Sequence, residues 1–365
     1  MIIVGSLFVL SGILLLYQLL LPVIYAVLGS LKKQDPEKDY TPASASVIVV
    51  TRNSADRISE RVKNILERKY PGIELEVIVL ADKSDDETAR VVSALPGIVA
   101  YCSETRKGKA PLINIGAELA KGDILVFTDD NSAFEPGAIA ELLKPFYYAG
   151  TGGACGRLIL KGGNPAEKIF QNMENFFKSV EGKYGAVAGA YGSIFAIRKS
   201  KFVRLPEDRM IMDDFYTTLN VISAGDKFVF CKKAACTEAY NRTGKADLQR
   251  KKRIGTGNSN ALPLIEATIS TSRNLLFPFF IFSHKLLRWF TAPIMFLFFI
   301  TNMMLPLENS AALFLLFAVQ LIIYISSAVV AAAGMKIPNP PAAWLCLFMG
   351  FIEGKDIRSR PYWDN

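Results

Sequence analysis

The stretch Arg106–Ser132 reads RKGKAPLINIGAELAKGDILVFTDDNS. Lys109–Ala120 is patterned as a helix, and Asp123–Thr128 (DILVFT) follows as a strand that runs into acids. The same alternation occurs before it. Ser46–Thr51 (SVIVVT) is a continuous apolar run, as a strand buried on both faces of a parallel sheet requires. Ile58, Val62, Ile65 and Leu66 then recur at helical spacing, Glu76–Ala81 (EVIVLA) is a second strand, Glu87–Leu95 a helix and Ile98–Cys102 a third strand. This rhythm implies βαβ units, so the expected fold class is α/β with a doubly wound, mostly parallel sheet. Further on, Gly152–Leu160, Gly192–Arg198 and Lys227–Cys231 read as strands, and Pro165–Val180 and Asp213–Ser223 as helices.

The chain has 365 residues, 51% of them hydrophobic, and its mean hydropathy of +0.25 is high for a water-soluble enzyme. The excess is concentrated at the two ends. Met1–Leu31, Trp289–Leu307 and Asn309–Met335 carry no charge. A bilayer core of roughly 30 Å is crossed by about 20 apolar residues in a helix, so each run can span it. The first lacks the basic start of a cleaved signal peptide and exceeds the usual length of its apolar part.

Basic residues orient the spans. Lys32 and Lys33 flank the first on the domain side, Lys285 and Arg288 precede the second, and Lys336, Lys355, Arg358 and Arg360 follow the third. The turn at Pro306–Ser310 carries only Glu308. The positive-inside rule therefore places the globular part and the carboxyl terminus in the cytoplasm. Phe277, Phe279, Phe280 and Phe282 crowd a run too short to cross, and residues 339–354 form another, so both read as interfacial.

The formal net charge is +8. The basic run Arg250–Arg253 could meet nucleic acid, but beside a membrane it suits anionic headgroups or diphosphates. There is no helix-turn-helix, zinc-finger or RNA-binding signature, so no nucleic-acid partner is expected. The five cysteines show no CxxC spacing and read as reduced thiols. The one histidine, His284, sits beside the second span. An acid or base in the globular part must then be a carboxylate, Lys, Cys or Tyr.

Three acidic clusters fall around the strand ends, where ligands of such sheets collect. Asp82 closes the second strand in ADKSDDET, Asp129, Asp130 and Asn131 close the fourth in VFTDDNS, and Asp213 and Asp214 open a helix in IMDDF. Each could simply cap a helix. Converging on one side of one sheet, they could instead hold a divalent cation and, through it, a diphosphate.

In order and spacing these stretches resemble the inverting, family 2 glycosyltransferases of GT-A fold, the group that includes cellulose, chitin and hyaluronan synthases. SVIVVTRN resembles the family's opening strand and turn, LADKSDDET its nucleotide-binding loop, and RKGKAPLINIGAELAKGDILVFTDDNS its central motif. GAYGSIFAIRK and MDDFYTTLNVISAG resemble its acceptor-side segments, so the likeness runs from Ser46 to Ala261. The flanking apolar helices fit the membrane-integrated branch.

The resemblance implies a role for each acidic cluster. Asp82 would accept a hydrogen bond from the donor's base, as the family's motif does with uracil; otherwise it caps a helix. Lys109 would contact the base or diphosphate, or else is a solvated lysine. Asp129 and Asn131 would occupy the outer positions of the DxD motif and touch a Mg2+ or Mn2+ bridging the phosphates, with Asp130 able to point away. Asp214 aligns with the general base and Asp213 stands in for the usual Glu; the alternative is an N-cap with a first-turn acid. Arg250 and Arg253 align with the QxxRW-type motif and would grip the diphosphate, but Ile254 replaces its tryptophan and offers no stacking platform for a sugar.

The layout so implied is a transmembrane helix over 1–31, a linker over 32–45 and a cytoplasmic GT-A catalytic domain over 46–260. Interfacial helices over 261–288, transmembrane helices over 289–307 and 309–335, and an interfacial helix with a cytoplasmic tail over 336–365 complete it. The expected function is inverting transfer of a sugar from a nucleotide-sugar donor, a UDP-sugar by the base motif, to a lipid-associated or envelope glycan acceptor. The expected location is a bacterial or archaeal plasma membrane, with membrane lipids, and conceivably a second copy of the chain, as partners. A processive polysaccharide synthase is the alternative; a nucleotidyltransferase or an inactive scaffold is more remote, because TRNSAD rather than a glycine-rich phosphate loop follows the first strand.

Overall fold

The computed structural model describes residues 2–35, 42, 44–67, 72–163, 165–240, 244–306, 310–332 and 340–354. Much of the expected linker (36–41 and 43), Glu308, Lys336, and the tail with Lys355, Arg358 and Arg360 lie outside the described residues. The chain divides into two units. One holds Leu28–Tyr240 and Asn260–Phe280, the other Met1–Val27, Asn241–Ser259 and Ile281–Asp356.

In chain order the elements are α1 (Ile2–Leu31), β1 (Ser44–Thr51), α2 (Ile58–Leu66), β2 (Glu74–Ala81), α3 (Thr88–Ala94), β3 (Val99–Cys102), α4 (Lys109–Leu119), β4 (Ile124–Asp129), β5 (Ser132–Phe134) and α5 (Ala138–Leu143). They continue with β6 (Thr151–Gly162), α6 (Pro165–Lys183), β7 (Phe195–Arg198), α7 (Asp213–Ser223) and β8 (Lys227–Tyr240). The remaining helices are α8 (Gly244–Asn260), α9 (Leu262–Thr271), α10 (Phe277–Phe280), α11 (Leu287–Trp289), α12 (Thr291–Met303), α13 (Ala311–Ala332) and α14 (Pro340–Glu353).

One sheet of order β3-β2-β1-β4-β7-β6-β8-β5 organises the first unit. β1 runs parallel to β2 and β4, and β2 parallel to β3, as the apolar runs require. Antiparallel β7 then joins β4 to β6, so the second half of the sheet is mixed. Alternate residues of the central strands point to opposite faces. Val47, Val49, Val77, Val79 and Val126 meet Ile58, Val62 and Ile65 of α2 in one core cluster. On the other face α4 lies so close that a β-carbon on Gly116 would stand 2.9 Å from Ile48 and Leu80 atoms. β8 extends well past Cys231, pairing beside β6 across an irregularity that skips Lys232–Ala234. In the same unit α9 packs on α7, with the Thr268 hydroxyl 3.4 Å from the Leu219 carbonyl.

The second unit combines the basic helix α8 with apolar helices joined by polar pairs. Tyr17 and Ser283 hydroxyls lie 2.6 Å apart, Thr291 donates to Gln18 Oε1 at 2.9 Å, and Asn302 donates to Gln320 Oε1 at 3.1 Å. Such pairs hold helices together where lipid removes any hydrophobic drive to associate. His284 is buried here with its ring edge toward Tyr25. Among the described residues, Ile2–Leu31 and Ala311–Val330 are long and apolar enough to cross a membrane. A further crossing requires Phe277–Trp289 and Thr291–Met303, bent by 61° at their junction, to act as one.

Candidate active site

The carboxyl ends of β2 and β4, the start of α4 and the start of α7 bring five of the singled-out side chains into one unit. Asp82 leaves β2 and is 1% exposed. Its Oδ1 accepts the N–H groups of Lys83 at 3.0 Å and Lys107 at 2.9 Å, its Oδ2 that of Gly108 at 2.9 Å, and Arg106 Nε lies 3.5 Å away. A buried carboxylate needs such donors. Here they lie mostly in the loop that opens α4, so Asp82 fixes the position from which Lys109 departs.

Lys109, the first residue of α4, extends across the end of β4. Its ammonium lies 2.9 Å from Asp129 Oδ1 and 3.1 Å from Asp213 Oδ2. Its side chain is 11% exposed, that of Asp213 8% and that of Asp129 33%, so Asp129 alone of the three keeps a broad face to solvent. A small recess beside them is lined by Ile48, Val50, Ile113, Phe127, Thr128 and Gly192 together with Lys109 and Asp213.

Asp214 completes the group from the first turn of α7. Its Oδ2 accepts the Gly192 N–H at 3.0 Å and its Oδ1 the Phe215 N–H at 2.7 Å. A β-carbon on Gly192 would lie 3.4 Å from Asp129 Oδ2, 3.7 Å from Asp214 Oδ2 and 3.8 Å from Lys109 Nζ. That glycine therefore marks the point on which the three charged groups converge. The side chain is half-buried, but protein crowds its carboxyl; burial first, and the charge of Asp213 second, push its pKa up to about 6. Lys109, the Phe215 N–H and Lys178 pull the other way without prevailing. A carboxylate tuned toward neutrality suits a general base.

The two residues after β4 are held differently. Asp130 Oδ2 accepts from the Thr51 hydroxyl at 2.7 Å, from the Ser54 hydroxyl and from Arg57 Nη2 at 3.3 Å, which ties it to the turn after β1. Asn131 is exposed, and its amide donates to Glu238 Oε1 on β8 at 3.4 Å. Among the described residues no group of three or more His, Cys, Asp and Glu side chains is arranged to hold a metal ion. A hard cation can be held by one or two carboxylates completed by substrate phosphates and water. Asp129, a partly exposed carboxylate, fits that mode.

Residues 46–205 match the family model described as Glycosyl transferase family 2. That segment, under half of the chain, is similar to the family 2 glycosyltransferases. Over 106 residues the chain is 29% identical to a glucosyl-dolichyl phosphate glucuronosyltransferase of Haloferax volcanii, covering 28% of this chain and 33% of that protein. Over 102 residues it is 26% identical to an uncharacterized glycosyltransferase of Mycobacterium tuberculosis, covering 28% and 39%. The matches thus span well under half of these curated relatives. Among solved structures, a mannosyltransferase from Pyrobaculum calidifontis in complex with GDP-Man and Mn2+ superposes with a TM-score of 0.72 over 96% of this chain and 99% of that one, at 19% identity. The likeness shows the fold, a mixed, curled α/β sheet of GT-A type with apolar helices at the amino terminus and near the carboxyl terminus.

The matched segment contains Asp82, Lys109, Asp129, Asn131 and Gly192, while Asp213 and Asp214 follow its end in the same unit. Arg250 and Arg253 belong to α8, among the apolar helices of the other unit. Reasoning from spacing passed over Gly192, Glu238 and Arg61. Arg61 is 3% exposed and holds the end of β4 through the Asp129 carbonyl at 3.2 Å and the Thr128 hydroxyl at 2.6 Å. Its helical position in the sequence gives no sign of that.

Proposed function

We propose that the chain transfers a sugar from a nucleoside diphosphate sugar to a lipid-associated acceptor, with inversion at the anomeric carbon and Asp214 as general base. The observation that carries this reading is the Asp214 carboxyl, raised to about 6 and facing Lys109 and Asp129 across Gly192. In the ionised form it takes the proton of an acceptor hydroxyl as that oxygen attacks, and the donor's diphosphate departs on the side away from the acceptor. Lys109 stands where it offsets diphosphate charge, and Asp82 keeps it there through the loop opening α4. A divalent cation, Mg2+ or Mn2+, would be held by Asp129 with Asn131 beside it, and supplies charge neutralisation for the leaving diphosphate.

The name of the Haloferax relative, a transferase acting on glucosyl-dolichyl phosphate, supports a lipid-linked acceptor. The GDP-Man and Mn2+ in the Pyrobaculum complex support a nucleotide-sugar donor and a divalent cation. Ile254 in place of a stacking tryptophan favours addition of a single sugar over long-chain polymerisation. The test incubates the purified full chain in lipid with Mn2+ or Mg2+ and labelled uridine- and guanosine-diphosphate sugars. Label moving into the organic phase is expected; a ladder of long water-soluble products, or no transfer from any donor, would contradict the reading.

A further inference from the structure

Helix α6 buries several polar side chains beside Phe177 and Val180, and exposes several apolar ones beside Lys168 and Asn172. Its buried residues include Gln171, Glu174, Asn175, Lys178 and Glu181, each at most 9% exposed. Its outward side presents Ile169 at 67%, Phe170 at 38% and Phe176 at 36% exposure, with Met173 half-buried between them. A helix on a water-facing surface does the reverse.

The inward polar face has work that explains it. Gln171 donates to the Tyr191 hydroxyl at 2.9 Å, and Asn175 donates to the Leu158 carbonyl at 2.8 Å. Glu181 accepts the Ala188 N–H at 2.9 Å. The Lys178 ammonium donates to the Gly189 carbonyl and lies 4.5 Å from the centre of the Tyr191 ring. The Asn175 bond ties the helix to β6, and the others hold the loop that ends at Gly192. They do not explain the apolar exterior.

The last turn of α1 does. The outward stripe at 169, 173 and 176 continues at helical spacing to Val180. At Val180 it is covered: a β-carbon on Gly29 would stand 3.0 Å from Val180 Cγ2. Lys183 donates to the Gly29 carbonyl at 2.6 Å, and the Tyr184 hydroxyl to the Leu28 carbonyl at 2.8 Å. Leu28 and Gly29 lie just before Lys32 and Lys33, where α1 reaches the headgroup layer if it spans. From that point the stripe runs for about 16 Å toward Ile169, with Phe176 and Ile169 exposed among the described residues. Beside the same end, Asn274 donates to the Tyr184 carbonyl at 2.5 Å and its neighbour Leu275 is 92% exposed.

We propose that α6 lies in the membrane interface, with Ile169, Met173, Phe176 and Leu275 set among lipid chains and headgroups next to α1. The bilayer would then cover the continuation of a surface that α1 already occupies at Val180, and Lys168 and Lys183 would flank it at headgroup level. One consequence is that the loop bearing Gly192 hangs from a helix lying on the membrane, which places the acceptor side of the acidic cluster near a lipid-borne substrate.

The proposal rests on α1 being a membrane helix, and its test separates the two. A photo-reactive benzoylphenylalanine is introduced in the full chain at Ile169, Phe176, Leu19 of α1 or Glu87 of the sheet unit, and the chain is irradiated in nanodiscs of phosphatidylglycerol and phosphatidylcholine. Lipid adducts at 169 and 176 should match those at 19 and exceed those at 87 by about ten-fold or more, as for an interfacial face. Adducts at 19 without adducts at 169 and 176 would overturn the proposal alone. Chain-to-chain adducts at 169 and 176 would replace lipid by a second copy. No lipid adduct at 19 would overturn the membrane reading of α1 and the proposal with it.

Discussion

The Gly192 N–H donates to Asp214 Oδ2 at 3.0 Å, so the loop before β7 and the first turn of α7 share one carboxylate. The loop is fixed from behind, by Lys178 on the Gly189 carbonyl and by the Thr218 hydroxyl, which accepts the Ala190 N–H at 3.1 Å. Thr218 in turn donates to the Asp214 carbonyl at 2.7 Å. The direction in which the carboxylate points is therefore set by two elements far apart in sequence. A glycine at 192 leaves room in front of it.

Gly192→Ala should fold and fail. Its β-carbon would meet Asp129, Asp214 and Lys109 at no less than 3.4 Å, which is ordinary contact. Thermal unfolding should be close to that of the parent, while kcat/KM falls by about ten-fold or more, since small displacements of reacting groups are costly. Parent-like activity would show that no reacting group passes this point.

The raised Asp214 pKa fixes two pH dependences. As a base it works ionised, so kcat should fall about ten-fold per unit below pH 6 and level off above it. For stability, a carboxyl whose folded pKa is raised from 3.8 to about 6 favours folding through its protonated form. That contribution is complete below about 4 and is lost as pH rises through 6. Asp214→Asn should therefore raise the unfolding temperature relative to the parent at pH 8 and leave the difference near zero at pH 4. Calorimetry at the two pH values checks the sign.

Chelation should abolish transfer, and Mn2+ or Mg2+ should restore it. Asp129→Asn should raise the cation concentration needed for half-maximal rate by about ten-fold or more, as loss of a charged ligand does. Asp130, already engaged by Thr51, Ser54 and Arg57, should show its defect in folding when changed to Asn. If Asp130→Asn alters the cation requirement and Asp129→Asn does not, the cation belongs to the neighbouring carboxylate.

The apolar unit depends on two glycines where α8 crosses α14. A β-carbon on Gly350 would fall 1.8 Å from the Lys252 carbonyl oxygen, and one on Gly255 1.9 Å from that of Leu347. Neither oxygen is the end of a flexible chain, so Gly350→Ala should cost about 1–3 kcal/mol or more. Gly5→Ala, with nothing within 4 Å, is the control. Thermal melts in detergent should separate the two variants.

The parallel half of the sheet was legible because β1, β2 and β4 are unbroken apolar runs, and α7 because Asp213 and Asp214 stand before a clean helical period. The expected strand Lys227–Cys231 stops short of the observed β8, which continues past Lys232 and Lys233 through an irregularity to Tyr240. β5 was too short to register as a period. At the site, the acids were visible as strand-end residues, but their roles depend on partners that spacing cannot supply. Asp82 is enclosed by N–H groups from residues 107 and 108, and Gly192 matters only because three charges from β4, α4 and α7 converge on it. The polar side of α6 is not legible for the same reason: its partners lie in β6 and in the loop after the helix, and spacing does not pair them with it.

The most direct measurement compares Asp214→Asn with the parent in two assays on one preparation, donor binding by calorimetry and sugar transfer to a lipid acceptor. Donor affinity should stay within about two-fold and transfer should fall by about 10²–10⁴, the range lost with a general base. Transfer at the parent's rate with donor affinity unchanged would remove Asp214 from the reaction and contradict the account.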